Sequence, residues 1–106
     1  MKHLVRIVLA TLAATLLCST VSFAEGGADT FKAKCAACHG ATGAGDTAMG
    51  KSMKLRDLGS PDVQSQSDDA LTTIITKGKG KMPAYDGKLT QEQVADLVKY
   101  IRTLKK

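Results

Sequence analysis

Tryptophan is absent from this 106-residue chain, proline occurs only twice, and aromatic side chains are few. Beyond the first 24 residues three rings remain, Phe31, Tyr85 and Tyr100, with basic side chains scattered among them. So few rings build no stacking platform, which argues against nucleic acid as a partner despite the basic excess. No stretch alternates apolar and polar residues long enough to make a half-buried strand, so sheet-based architectures are excluded. Histidine and cysteine are scarce too, two and three in all. With no internal repeat and no later shift in composition, the length allows one small domain.

The first 24 residues differ from the rest. Lys2 and Arg6 form a positive start, Ile7 to Ala24 carries no charge, and Ser22-Phe23-Ala24 offers small residues where a signal peptidase reads. This predicts a secretory signal peptide over 1–24, cleaved after Ala24, a domain over 25–106, and a periplasmic protein. The alternative is an uncleaved membrane anchor, because the uncharged run approaches spanning length; its threonines and serines weaken that reading. Lipidation at Cys18 is weaker still, since Leu17 stands where a small residue is the rule. Cleavage would leave Cys35 and Cys38 as the only cysteines, His39 as the only histidine, and thirteen basic against ten acidic residues. An excess of three positive charges steers a protein toward an acidic partner or an anionic surface.

Helical signals account for most of the remainder. Ala28, Phe31 and Cys35 fall on one face of a helix that ends at the cysteines. Residues 40–52, with four glycines and no apolar period, read as a looping surface segment. A phosphate-cradling loop is set aside there because no strand precedes it. Ser60-Pro61 reads as an N-cap and first helical position of one short turn. Ser67 caps a second helix with Asp68 and Asp69 in its first turn; Leu71, Ile74 and Ile75 share a face, and Gly78 ends it after Lys77. In the last helix Thr90 and Gln93 make a capping box, and Val94, Leu97, Val98 and Ile101 follow the 3.6 period. The fold is predicted all-α. Apolar stripes this short seldom stabilise about 80 residues unless something staples them, and a covalently bound apolar cofactor would do so.

The stretch Lys34 to Gly40, KCAACHG, carries the chemistry. A zinc site needs four ligands, and only three cysteine or histidine residues survive processing, two of them adjacent. A thioredoxin-like dithiol is expected beside a β-α-β unit, which is missing, and a plain disulfide leaves the histidine unexplained. Haem attachment uses all three residues in this order: two thiols form thioethers to the vinyl groups and the following histidine meets the iron. With His39 engaged, the other axial ligand has soft candidates in Met49, Met53 and Met82, and chain reach excludes none of them. Pro83 fixes the backbone beside Met82, and the Lys-Gly alternation of 77–81 permits a chain reversal. Met49 and Met53 read more simply as loop and core filler.

The combination of FKAKCAACHG, GKGKMPAY and the terminal LVKYIRTL resembles the small soluble class I cytochromes c of bacteria over nearly all of residues 25–106. The resemblance implies the class I cytochrome c fold, small helices wrapped around one haem c with its iron. It implies thioether links at Cys35 and Cys38, His39 as proximal ligand and Met82 as distal ligand, and packing of Phe31 against the last helix near Leu97 and Tyr100. Many relatives carry a proline soon after the haem motif whose carbonyl accepts the proximal imidazole proton. No proline lies between Gly40 and Ser60, so another carbonyl is expected to serve.

A haem with both axial positions filled leaves no open site for a small-molecule substrate. The expected function is therefore one-electron transfer between redox partners of a respiratory or photosynthetic chain, and not enzymatic turnover. Lys32, Lys34, Lys51, Lys54, Lys79, Lys81 and Lys88 are candidates for a rim that docks an acidic patch on the partner. Two alternatives stand beside this: a gas- or peroxide-reactive haem protein in which Met82 dissociates, and a membrane-tethered subunit of a larger redox complex. A hydrolytic reading fails because the one histidine has no carboxylate near it in sequence.

Overall fold

A computed structural model describes residues 23–106, with side chains from Gly26 onward. Nearly all of the expected leader, including Cys18, lies outside the described residues, so the signal peptide over 1–24 stands on the sequence alone. Among the described residues six helices follow in order: α1 Phe23–Lys34, α2 Ala36–His39, α3 Ala48–Ser52, α4 Pro61–Gln64, α5 Asp68–Lys77 and α6 Gln91–Thr103. Two isolated bridges, Lys79 with Met82 and Asp86 with Leu89, are the only β-type pairings among the described residues.

α6 organises the core. The Thr90 hydroxyl accepts the Gln93 amide at 3.1 Å and the Gln93 side chain accepts the Thr90 amide at 2.9 Å, completing the predicted capping box. Val94, Leu97, Val98 and Ile101 form its buried stripe. Against that stripe lies α1, whose Phe31 is 2% exposed and sits with its ring centroid 5.1 Å from that of Tyr100, the planes tilted by 49°. Tilted rings suit the aromatic quadrupole. The helices pack tightly at Gly27, where a β-carbon would meet the Asp96 carbonyl and the Tyr100 side chain.

α5 keeps its predicted ends: the Ser67 hydroxyl accepts the Ala70 amide at 3.1 Å, and Gly78 leaves the helix at φ 75°. Leu71 and Ile75 are buried, while Ile74 is half-buried. At α4 the predicted cap holds only in its backbone. The Ser60 carbonyl accepts the amides of Val63 and Gln64, at 3.1 and 2.9 Å, and the buried Ser60 hydroxyl makes no hydrogen bond. Arg102 of α6 secures this corner by donating to the carbonyls of Gln64 and Gln66 and to the carboxylate of Asp68.

Residues 40–52 depart from the surface loop expected of them. α3 occupies their last third, and Gly43, Gly45 and Gly50 are buried, because the chain folds under the haem motif. The Gly45 amide donates to the His39 carbonyl at 2.7 Å and the Leu58 amide to the Gly43 carbonyl at 2.8 Å. Residues 45–52, GDTAMGKS, do match the spacing of a nucleotide-binding P-loop, so spacing alone would not exclude one. The fold does exclude it. No strand precedes the segment among the described residues, and the Gly50 amide is taken by Thr47 at the start of a five-residue helix.

Candidate haem-binding site

The buried faces of α1, α5 and α6 also wall a cavity of about 680 Å³, within the ~300–1,000 Å³ typical of cofactor pockets. Its apolar lining includes Phe31, Leu58, Leu71, Ile75, Leu97 and Ile101. Cys35, Cys38 and His39 stand on one wall and Met82 on the same cavity's lining, so the structure brings together all four residues singled out from the sequence. Both thiols are free.

Helical backbone places the motif. The Cys35 amide donates to the Phe31 carbonyl at 2.8 Å, extending the run of α1, and the amides of Cys38 and His39 both donate to the Cys35 carbonyl, at 3.2 and 3.0 Å. One tight turn therefore carries the three side chains into the cavity. Burial pushes the Cys35 thiol up to about 11, with the neighbouring Cys38 adding to the rise. Burial also lowers His39, which favours the neutral imidazole that a metal requires. The other ring nitrogen, Nδ1, is buried without a hydrogen-bond partner among the described residues. The substitute carbonyl expected for the missing proline is therefore not in place; the His39 and Gly50 carbonyls accept backbone amides of this segment and the Cys38 carbonyl a side-chain hydroxyl.

Met82 is half-buried in a reversal between α5 and α6. Its amide donates to the Lys79 carbonyl at 3.0 Å and its carbonyl accepts the Lys79 amide at 3.2 Å, with Gly78 and Gly80 at positive φ on either side of Lys79. Of the other methionines, Met49 is 54% exposed and does not line the cavity, whereas Met53 does. Lys34, Lys54, Lys79 and Lys81 also line it, together with Arg56, and no carboxylate does; Lys32, Lys51 and Lys88 are exposed away from it. Arg56 and Tyr85 were not legible as lining residues from sequence, since neither falls on an apolar period. Tyr85 is raised by burial and then by the two cysteines beside it.

An apolar cavity in an all-α shell, with Cys-x-x-Cys-His on its wall, defines a class: proteins that hold haem c through two thioethers. The family model described as cytochrome C oxidase, cbb3-type, subunit III matches residues 23–101, and the chain belongs to this cytochrome c family. It is 35% identical over 109 residues to cytochrome c6 of Picosynechococcus sp., covering 95% of this chain and 92% of the relative. Against cytochrome c6 of Synechococcus elongatus it is 38% identical over 76 residues, 71% of this chain and 83% of the relative. A solved structure titled KustC0563 c-type cytochrome superposes with a TM-score of 0.70 at 30% identity, over 76% of this chain and 98% of that one. The fold is thus the all-α class I cytochrome c fold, the cofactor is one covalently attached haem c with its iron, and the protein is a monohaem electron carrier, not an enzyme, that acts with redox-partner proteins. No helix among the described residues is long and apolar enough to cross a membrane.

Proposed function

We propose that this chain is an exported, periplasmic one-electron shuttle in which Cys35 and Cys38 would hold the haem through thioethers and His39 and Met82 would ligate its iron. The observation that carries the reading is the convergence of these four residues on a single apolar cavity. When bound, the haem supplies a reversible ferric/ferrous couple. The protein's part is to exclude water with the α1, α5 and α6 side chains, to keep the His39 imidazole neutral, and to present a methionine sulfur, which raises the potential relative to a histidine pair. Met82 is favoured over Met53 because Pro83 stiffens its loop and because the Lys-Gly alternation before it permits a chain reversal.

The cavity mouth would serve for electron entry and exit. Lys34, Lys54, Lys79 and Lys81, with Arg56, form a cationic rim that suits an acidic patch on a donor or acceptor. Near end-to-end matching to a cytochrome c6 supports a one-domain carrier of this kind. The test is the absorption spectrum of the periplasmic holoprotein, oxidised and reduced, with and without carbon monoxide. A methionine-to-iron charge-transfer band in the ferric protein, lost in Met82→Ala, and no carbon monoxide shift in the ferrous wild type are the expected results. Ready carbon monoxide binding would instead indicate an open distal site and a ligand-reactive protein.

A further inference from the structure

The loop that carries Met82 is hydrogen-bonded mainly to the helix it leaves. The Gly78 amide donates to the Ile74 carbonyl at 2.9 Å, the Tyr85 amide to Ile75 at 3.1 Å and the Asp86 amide to Thr76 at 3.0 Å. These bonds fix the shape of the loop and tie it to α5. They do not tie it to the wall that holds Cys35, Cys38 and His39.

Among the described residues, one hydrogen bond joins segment 78–89 to that wall: the Tyr85 hydroxyl donates to the Lys34 carbonyl at 3.0 Å. The carbonyl is available for a definite reason. Lys34 ends α1, and the amide four residues on that would have continued the helix, that of Cys38, goes instead to the Cys35 carbonyl. Helix ends leave such carbonyls for other donors to satisfy. Tyr85 supplies that donor from 51 residues away, with its ring on the cavity wall three positions after Met82.

We propose that Tyr85 is a positioning residue that latches the Met82 loop onto the residue preceding Cys35, and so sets how often the loop opens and admits an external ligand to the iron. The proposal rests on the reading of Met82 as the distal ligand. A bond made only in the closed state lowers the open population by its own worth. An added ligand that needs the open state binds with an apparent affinity reduced by the open fraction, so deleting the latch raises that affinity by the same factor. A net hydrogen bond of ordinary strength corresponds to a factor of about three to ten.

Imidazole is the probe, titrated into the ferric holoprotein while the methionine-to-iron band is followed. Three proteins are compared: wild type, Tyr85→Phe, which keeps the ring and removes only the hydroxyl, and Thr90→Ala, which weakens the α6 cap and leaves the Tyr85 to Lys34 bond in place. Tyr85→Phe is expected to bind imidazole about three- to tenfold more tightly, with Thr90→Ala at wild-type affinity although both unfold at lower denaturant. Wild-type affinity in Tyr85→Phe overturns the latch, as does an equal gain in Thr90→Ala, which would reduce the effect to general stability. Met82→Ala separates this from the ligand assignment. If that variant keeps the charge-transfer band, the reading of Met82 and the latch built on it both fail; if it loses the band while Tyr85→Phe behaves as wild type, the latch alone fails.

Discussion

The hydroxyl of Thr47 donates to the Cys38 carbonyl at 2.7 Å while accepting the amide of Gly50 at 2.8 Å. A single side chain thus caps α3 and anchors the peptide between the second cysteine and the histidine. Thr47→Ala removes both bonds and leaves a part-buried carbonyl without its donor, for an expected loss of about 1–2 kcal/mol. Thr47→Ser should recover most of it. Denaturant unfolding of the two holoproteins measures the difference, and equal midpoints for wild type and Thr47→Ala would show that the bridge contributes nothing.

Gly27 tests the α1–α6 crossing through a sign. At an exposed helical position Gly→Ala stabilises by about 1 kcal/mol. Here the new methyl group would press on the Asp96 backbone and the Tyr100 side chain. Forcing atoms into a packed contact costs about 1–3 kcal/mol, so the crossing should dominate and Gly27→Ala should lower the thermal midpoint. A raised midpoint would mean that the two helices separate readily.

Phe31 belongs at once to the core and to the cavity wall. Phe31→Ala should cost about 3–5 kcal/mol, a large share of the stability of a small domain. Phe31→Leu, which keeps much of the volume, should cost less and retain haem. Yield of holoprotein and its unfolding midpoint follow both effects together.

The Lys106 ammonium and the Gly59 amide bind the Asp57 carboxylate and hold its carboxyl below the usual range, the lysine being the larger cause. A folded-state pKa below the unfolded value of about 3.9 means that the unfolded chain takes up the proton first. The stabilisation is therefore present above about pH 4 and is lost as pH falls through the folded value. Asp57→Asn should flatten the acid limb of stability against pH: it loses this stabilisation above about pH 4, a small loss because the ion pair lies at the surface and is screened, and matches wild type at the acid end. Thermal midpoints from pH 2 to 7 provide the check.

What was legible in the sequence shares one property: its signal lies within a few residues. The capping box at Thr90, the apolar stripe of α6 and the ends of α5 are local patterns, and each appears as read. Cys35, Cys38 and His39 sit within one turn, so their common direction followed from spacing. Residues 40–52 do not form the open surface loop that their glycines suggest, because distant contacts decide the conformation of this part of the chain. Gly43 pairs with Leu58, Gly45 with the His39 carbonyl, and Lys54 adopts φ 54° with no glycine or asparagine to announce it. The hydroxyls at Ser60 and Tyr85 make the same point in opposite directions. Ser60 has the residue type of a cap and makes no cap bond, whereas Tyr85 finds its partner far beyond any sequence window.

The pairing of Phe31 with Tyr100 joins the first described helix to the last. Chain emerges from synthesis in order, so Phe31 has no ring to meet, and the cavity no closing wall, until α6 has been made. A chain interrupted before Val94 keeps α1 and the haem motif yet lacks every buried residue of α6. Helices as short as those that remain are marginal in isolation. Folding here serves as a test of completeness: a truncated product stays open to proteases, and only a finished one can enclose its cofactor.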